Sequence, residues 1–142
     1  MSMYGINAGI PKTLVSFMIQ NYADYKFDDS VKDTLYSILD TPITPELTSD
    51  QKTEDTIGKY EVNDFIIHRV LRYGDHKERI VWLLPKVFDI TSEDALHYAS
   101  NFFRRFYSQQ FKRQALPDGP KILDISVSPR GDLRLPSDID VS

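Results

Sequence analysis

The sequence has no cysteine, three histidines and one tryptophan among its 142 residues. Without cysteine, a disulfide scaffold, a thiol nucleophile and a thiolate metal site are all excluded. No run of about 18 apolar residues is present, so we expect no membrane-spanning helix and no membrane partner. The first residues lack the basic region and apolar run of a secretory signal. These absences together favour a cytoplasmic protein.

The composition predicts a folded chain, because 41% of the residues are hydrophobic and 12% are aromatic. The length fits one small domain or a piece of a larger one. The net charge is −4, yet basic residues cluster near the carboxyl end: Arg104, Arg105, Lys112, Arg113 and Lys121. This patch indicates either a local anion site or a helix end whose cations oppose the helix dipole. We expect no nucleic-acid partner, since DNA or RNA would bind only weakly and in a salt-labile way.

Apolar spacing and capping residues predict a mostly α-helical chain of about five helices. The first begins near Pro11, with Leu14, Val15, Met18, Ile19 and Tyr22 on its core face. Asp28 or Asp29 caps the second, with Val31, Leu35, Ile38 and Leu39 on one face. The third covers Val62 to Tyr73 and stops at Gly74.

Two further helices are predicted from paired polar residues at their starts. Asp75 with Glu78 resembles a capping box for the fourth, which Pro85 should kink or end. Thr91 with Asp94 opens the fifth, carrying Leu96, Ala99, Phe103, Phe106 and Tyr107.

Long loops are predicted before the third helix and after the fifth. The first is punctuated by Pro42 and Pro45 and continues to Gly58. The tail from Pro117 is irregular, with one short extended segment over Ile122 to Val127 and a tight turn at Gly131.

The segment from Gly5 to Thr13 imitates a phosphate-binding loop, but Ile10 and Pro11 separate its glycine from Lys12. A Walker A loop needs glycine, lysine and threonine in succession, so that identification is rejected. Two glycines, a helix start and a lysine can still form an anion site, but an ordinary turn before a helix is the favoured interpretation. The histidines lack metal-ligand spacing, and the Arg130-Gly131-Asp132 tripeptide carries too little information to indicate integrin binding.

Four blocks of sequence resemble the synthetase domain of glutamine-dependent NAD synthetases, in the same order. The blocks are Met1 to Leu14, Ile38 to Leu47, Gln51 to Glu61, and a last one running from Arg105 to Lys121 and on through Ser128 to Asp138. They cover almost the whole chain and resemble the carboxyl-terminal part of that domain. The resemblance implies the carboxyl-terminal portion of an α/β fold of the adenine nucleotide α-hydrolase type.

The resemblance also implies the chemistry. The family uses ATP and Mg²⁺ to adenylate the carboxylate of deamido-NAD, and glutamine-derived ammonia then displaces AMP to give NAD. The partners implied for the intact enzyme are deamido-NAD, ATP and ammonia, and the full-length protein is expected to be a homo-oligomer.

Three positions match family residues that contact ligands. Lys12 matches a lysine that contacts ATP, and Thr44, with Thr41 as the less favoured alternative, matches a threonine of the loop that closes over ATP. Lys112 matches a lysine that contacts deamido-NAD. No catalytic residue and no metal ligand is assigned, and Glu54 and Asp55 receive no role.

The family's ATP loop, Ser-Gly-Gly-x-Asp-Ser, occurs nowhere in this sequence, and the glutaminase domain with its cysteine nucleophile is absent. We therefore expect a domain fragment that is inactive alone and has no bound cofactor. Leu133 stands where the family has tryptophan, which weakens the basis for packing the tail in the family manner. Lys59 and Asn63 stand where the family has proline and histidine, so the sequence gives no basis for the histidine's polar contact near the third helix. The alternative function is a free-standing helical interaction module without catalysis.

Overall fold

The computed structural model describes residues 3–41 and 58–139, and over these ranges the protein is mostly helical. Six helices lie within these ranges: α1 (Lys12–Tyr25), α2 (Asp29–Leu39), α3 (Tyr60–Tyr73), α4 (Lys77–Val87), α5 (Ser92–Ser108) and α6 (Gln110–Gln114). In the described ranges the only β pairing is an isolated parallel bridge between Tyr4 and Asp118. The helical prediction is confirmed, and these residues contain no strand of an α/β sheet. The chain divides into two compact units, Pro11–Glu61 and Met1–Ile10 with Val62–Ser142.

The unit Pro11–Glu61 is built on the pair α1 and α2. Asp28 caps α2 as predicted, since its carboxylate accepts from the backbone N–H of Val31 at 3.2 Å. Asp24 joins the helices by an ion pair with Lys32 (3.1 Å) and a hydrogen bond from the Tyr36 hydroxyl (2.9 Å). Both partners act by hydrogen bonds, Lys32 foremost, to lower the pKa of Asp24.

The apolar stripes of α1 and α2 are much less buried than their spacing predicts. Ala23 is the single buried residue among the described residues of this unit. Met18, Tyr22, Val31 and Ile38 are exposed, so their assignment to a core was wrong. The reason is structural: within the described residues of this unit α1 packs against α2, and a pair of helices does not by itself enclose a stripe that needs a third layer.

The other unit holds the hydrophobic core, to which α3, α4, α5 and the tail contribute. Its buried members are Val62, Ile66, Ile80, Leu84, Ala95, Ala99, Phe102, Phe106 and Leu133. They recur every three or four residues within each helix, which places one face of each helix in the core. Leu96, predicted on the core face of α5, is instead exposed.

The ends of α3 and α5 follow the predicted signals. Gly74 has φ 68°, the left-handed conformation that favours glycine after a helix. Thr91 and Asp94 form a reciprocal capping box at the start of α5. Helix α3 begins at Tyr60, two residues before the predicted start.

The predicted capping box of α4 is wrong. His76 is the N-cap residue, and its side chain makes no capping bond. Asp75 turns back to Arg69 instead, in a partly buried ion pair of 2.6 Å that ties the end of α3 to the turn. A charged partner with little solvent around it outcompetes a backbone N–H for this carboxylate. Pro85 lies inside α4, which continues to Val87 before ending.

The tail packs on the core although it forms no strand. Leu123 and Asp124 form a bend in the segment predicted to be extended, and the backbone N–H of Ser126 donates to the Asp132 carboxylate (3.0 Å). A hydrogen bond to a side chain thus stands where the alternating pattern suggested backbone–backbone hydrogen bonds between strands. A turn follows as predicted, with the N–H groups of Gly131 and Leu133 both donating to the Ser128 carbonyl. Leu133 is 9% exposed, so the smaller residue at the family's tryptophan position still joins the core.

Candidate functional site

A groove of 670 Å³ in the unit Pro11–Glu61 is the first candidate site. Its lining is Lys12, Thr13, Val15, Ser16, Phe17, Ile19, Gln20, Ile38, Leu39, Thr41, Lys59, Tyr60 and Glu61. Two lysines, one carboxylate and several hydroxyl groups share this surface with apolar side chains. That mixture suits a ligand with an apolar ring system and an anionic group.

The groove brings together Lys12, which was matched to an ATP-contacting lysine, and Thr41, the less favoured alternative to Thr44. Lys12 is the first residue of α1, and the N-cap residue Pro11 supplies no side-chain bond to the first turn. Backbone N–H groups at such an end and the lysine ammonium both favour an anion. The Thr41 hydroxyl donates to the Ser37 carbonyl at 2.9 Å, which leaves its oxygen able to accept.

Thr44, the preferred threonine of the sequence analysis, lies outside the described residues, as do Glu54 and Asp55. Their assignments stay predictions. Lys59, which stands where the family has proline, lines the groove and adds a second ammonium group to it. The resemblance gave no reason to single out Lys59.

Gly5 and Gly9, which suggested an anion-binding turn, do not line the groove. The N–H of Gly5 donates to the Asp118 carbonyl (2.6 Å). A Cβ built on Gly9 would lie 3.7 Å from the Pro120 carbonyl oxygen. These contacts favour the other interpretation, a glycine-containing turn that packs against the tail.

The second candidate site is Lys112, on the five-residue helix α6. Lys112 is exposed, and the described residues give its ammonium a single side-chain contact, with the Phe111 ring centroid 5.9 Å away. Lys12 and Lys112 belong to different units, so each is a separate local feature.

Gln110, two residues before Lys112, is the buried polar residue of α6, with no exposed surface. Its amide donates to the Leu135 carbonyl (3.2 Å) and accepts from Arg113 Nε (2.8 Å). The sequence analysis missed Gln110. It follows Phe102 and Phe106 at helical spacing, so extending the core stripe by one turn would have found it.

Two other basic residues of the carboxyl-terminal patch, Arg113 and Lys121, are engaged within the chain. Arg113 stacks on the Phe106 ring, 4.4 Å from its centroid, and donates to the Phe106 carbonyl. Burial lowers the pKa of Arg113, although an arginine so placed stays protonated. Lys121 pairs with Asp132 at 2.7 Å. These contacts leave fewer basic side chains of the patch available to a ligand. Lys112 is the exposed basic residue of α6.

The tripeptide Arg130-Gly131-Asp132 is also engaged within the chain. Arg130 pairs with Asp118 at 2.8 Å, and Asp132 pairs with Lys121. Hydrogen bonds from Lys121 and Ser126, with Lys121 contributing most, lower the pKa of Asp132. Both charged groups of the tripeptide thus hold the tail together.

Metal ligands and membrane spans can be assessed only over residues 3–41 and 58–139. There, no three His, Cys, Asp or Glu side chains cluster as a metal site. No helix in these ranges is long and apolar enough to cross a bilayer.

No protein-family model matches the chain. Curated proteins do match it, along 98% of its length. The "Glutamine-dependent NAD(+) synthetase" of Mycobacterium leprae is 40% identical, and the proteins of the same name from Mycobacterium bovis and Mycobacterium tuberculosis are each 38% identical. The chain is similar to a segment of glutamine-dependent NAD(+) synthetases. The family resemblance drawn from the four sequence blocks is confirmed.

The chain spans 24% of the length of these NAD(+) synthetases. The alignment with the Mycobacterium leprae protein covers 166 positions, more than the 142 residues of this chain. That synthetase therefore carries residues inside the matching region that have no counterpart here. The relatives are enzymes by name, and the chain matches one part of such an enzyme.

Proposed function

We propose that this chain supplies part of the ATP-dependent amidation of deamido-NAD to NAD. The similarity to NAD(+) synthetases over 98% of the chain carries the proposal. The groove supports it, because it holds Lys12, which matches an ATP-contacting lysine of the family, together with Thr41, the less favoured match to the family's ATP-loop threonine. The chain corresponds to the carboxyl-terminal part of the synthetase domain, within an α/β fold of the adenine nucleotide α-hydrolase type.

In this proposal each ligand meets a separate set of residues. The Lys12 ammonium and the first-turn N–H groups of α1 hold an ATP phosphate, assisted by a threonine hydroxyl, Thr44 or Thr41. The Lys112 ammonium holds an anionic group of deamido-NAD. Adenylation turns a carboxylate oxygen of deamido-NAD into a leaving group, which ammonia displaces as AMP; pyrophosphate is the other product.

Mg²⁺ belongs to the proposed reaction as the companion of ATP. The described residues do not fit a magnesium site, since no cluster of three potential ligands lies among them. We derive no step through the metal from these residues. The sequence also lacks the Ser-Gly-Gly-x-Asp-Ser loop, so the isolated chain is proposed to be inactive.

Homo-oligomerisation of the full-length protein and a cytoplasmic location complete the proposal. The oligomeric state is implied by the family resemblance, and the location is the one that the sequence composition favours. A helical interaction module is the second candidate, favoured by exposed apolar side chains on α1 and α2 such as Phe17 and Ile38.

Alanine variants at the two lysines test the proposal in the full polypeptide that carries this chain. We expect Lys112→Ala to raise the KM for deamido-NAD and Lys12→Ala to raise the KM for ATP, each by about tenfold to a hundredfold, because each removes a charge-assisted contact. Steady-state NAD formation with one substrate varied at a time measures both values.

Lys26→Ala is the matched control, since Lys26 follows α1 and does not line the groove. Unchanged KM values in both active-site variants would contradict the residue assignments. NAD formation by the isolated 142-residue chain would contradict its proposed inactivity. A full polypeptide that makes no NAD would favour the interaction module.

A further inference from the structure

We propose that Gln110 is a positioning residue for Lys112. Gln110 fixes α6 to the tail at Leu135, and α6 in turn holds Lys112. The inference rests on the proposed function, which assigns Lys112 to deamido-NAD. It goes beyond that function by naming a residue that contacts no ligand yet sets the affinity for one.

The buried amide of Gln110 makes hydrogen bonds at both its nitrogen and its oxygen. Its nitrogen donates to the Leu135 carbonyl and its oxygen accepts from Arg113 Nε. A buried amide with both ends satisfied fixes one orientation, because any other leaves a polar group without a partner. Gln110 therefore joins the tail to the turn of α6 that carries Lys112.

Two neighbours on α6 reinforce the same attachment. Gln114 Nε2 donates to the Leu135 carbonyl at 2.8 Å, so that oxygen accepts from both glutamines. Arg113 reaches back to the Phe106 carbonyl and stacks on the Phe106 ring. Positions 110, 113 and 114 are thus bound to the core or the tail, while Lys112 stays exposed.

Helix α6 depends on these bonds because it has only five residues. A helix this short has no stability of its own in water, so tertiary contacts hold it. If the Gln110 bonds are lost, α6 loosens and Lys112 samples more positions. Deamido-NAD must then order the lysine on binding, which weakens its affinity.

Gln110→Met tests the inference in the full polypeptide, because methionine keeps the side-chain length and removes both hydrogen bonds. We expect the KM for deamido-NAD to rise about threefold to tenfold, as for one extra side chain ordered on binding, with the KM for ATP unchanged. Gln110→Glu should give a smaller rise, since it keeps an acceptor for Arg113 Nε.

Ile80→Val controls for stability, because Ile80 is buried on α4 in the same unit. It should lower the melting temperature without changing either KM. If Gln110→Met shifts only the melting temperature, or raises both KM values equally, the positioning role is wrong.

The double variant separates this inference from the proposed function. If Gln110 acts through Lys112, adding Gln110→Met to Lys112→Ala should raise the KM for deamido-NAD no further. A full additional rise would overturn the positioning role and leave the Lys112 assignment intact. If Lys112→Ala alone has no effect, both the assignment and the inference fail.

Discussion

At the scale of single residues, the tail requires glycine at position 119. A Cβ placed there would overlap the carbonyl oxygen of Gly5 and lie 3.3 Å from the Ala8 Cβ. The overlapping atom belongs to the backbone, which cannot rotate away. Gly119 is thus required by a close approach between two chain segments.

Gly119→Ala should therefore destabilise the protein by about 1–3 kcal/mol, the usual cost of overpacking. Thermal or urea unfolding measures this difference. Gly131→Ala is the matched control, since the nearest atom to its Cβ would be 3.9 Å away. We expect it to stay within about 0.5 kcal/mol of the parent. Equal losses in both variants would show that the approach of Gly119 to Gly5 is unimportant.

At the scale of helices, local signals predicted ends well and burial poorly. Asp28, Gly74 and the Thr91–Asp94 pair act within one turn of the chain, so sequence reveals them. Asp75 binds Arg69 six residues back instead of capping α4, a choice set by the turn between two helices. The stripes of α1 and α2 are apolar, but spacing alone does not say whether a covering layer is present.

Some residues of the candidate sites could be identified from the sequence, and others only from the structure. The resemblance identified Lys12 and Lys112, whose residue types suit anions. It did not reveal that Lys59 lines the groove of Lys12, because that depends on how residues far apart in sequence meet. Gln110 was within reach of helical spacing, but its partner Leu135 lies 25 residues away.

The capping box of α5 predicts a specific pH dependence. Hydrogen bonds from the Thr91 hydroxyl (2.7 Å) and N–H (3.2 Å) lower the pKa of Asp94 below 3.8. Because the folded pKa is the lower one, ionised Asp94 stabilises the fold above the unfolded pKa. That contribution is lost as pH falls through the folded pKa.

Asp94→Asn should therefore lose less stability than the parent between about pH 7 and pH 2. The midpoint of urea unfolding across this range measures the difference. Asp89→Asn, which changes an exposed carboxylate just before the helix, is the matched control. If the parent and Asp94→Asn lose stability equally, the capping box contributes nothing to acid sensitivity.

At the scale of the whole molecule, the two units differ in what stabilises them. The core of nine buried apolar residues lies in the unit that contains α4 and α5. The unit Pro11–Glu61 relies on the α1–α2 contact, the cap at Asp28 and the polar group around Asp24. We therefore expect the free energy of local unfolding to be higher in the unit with the buried core than in the unit Pro11–Glu61.

Hydrogen–deuterium exchange of the 142-residue chain should show this directly. Backbone amides of α4 and α5 should exchange at least about tenfold more slowly than those of α1 and α2, as expected when buried contacts set the opening free energy. Mass spectrometry of proteolytic peptides resolves the helices. Comparable protection in α1 and α2 would show that their apolar faces are covered, for example by self-association.

The bond between Gly5 and Asp118 also bears on the order of events during synthesis. It joins residues more than a hundred positions apart, so the turn at Gly5 has no native partner until the segment after α6 has been made. At about 5–20 residues per second, that wait lasts several seconds or more. The helices of the core can meet earlier, because their contacts are closer in sequence. The segment around Gly5 is therefore among the last parts of this chain to reach its native place.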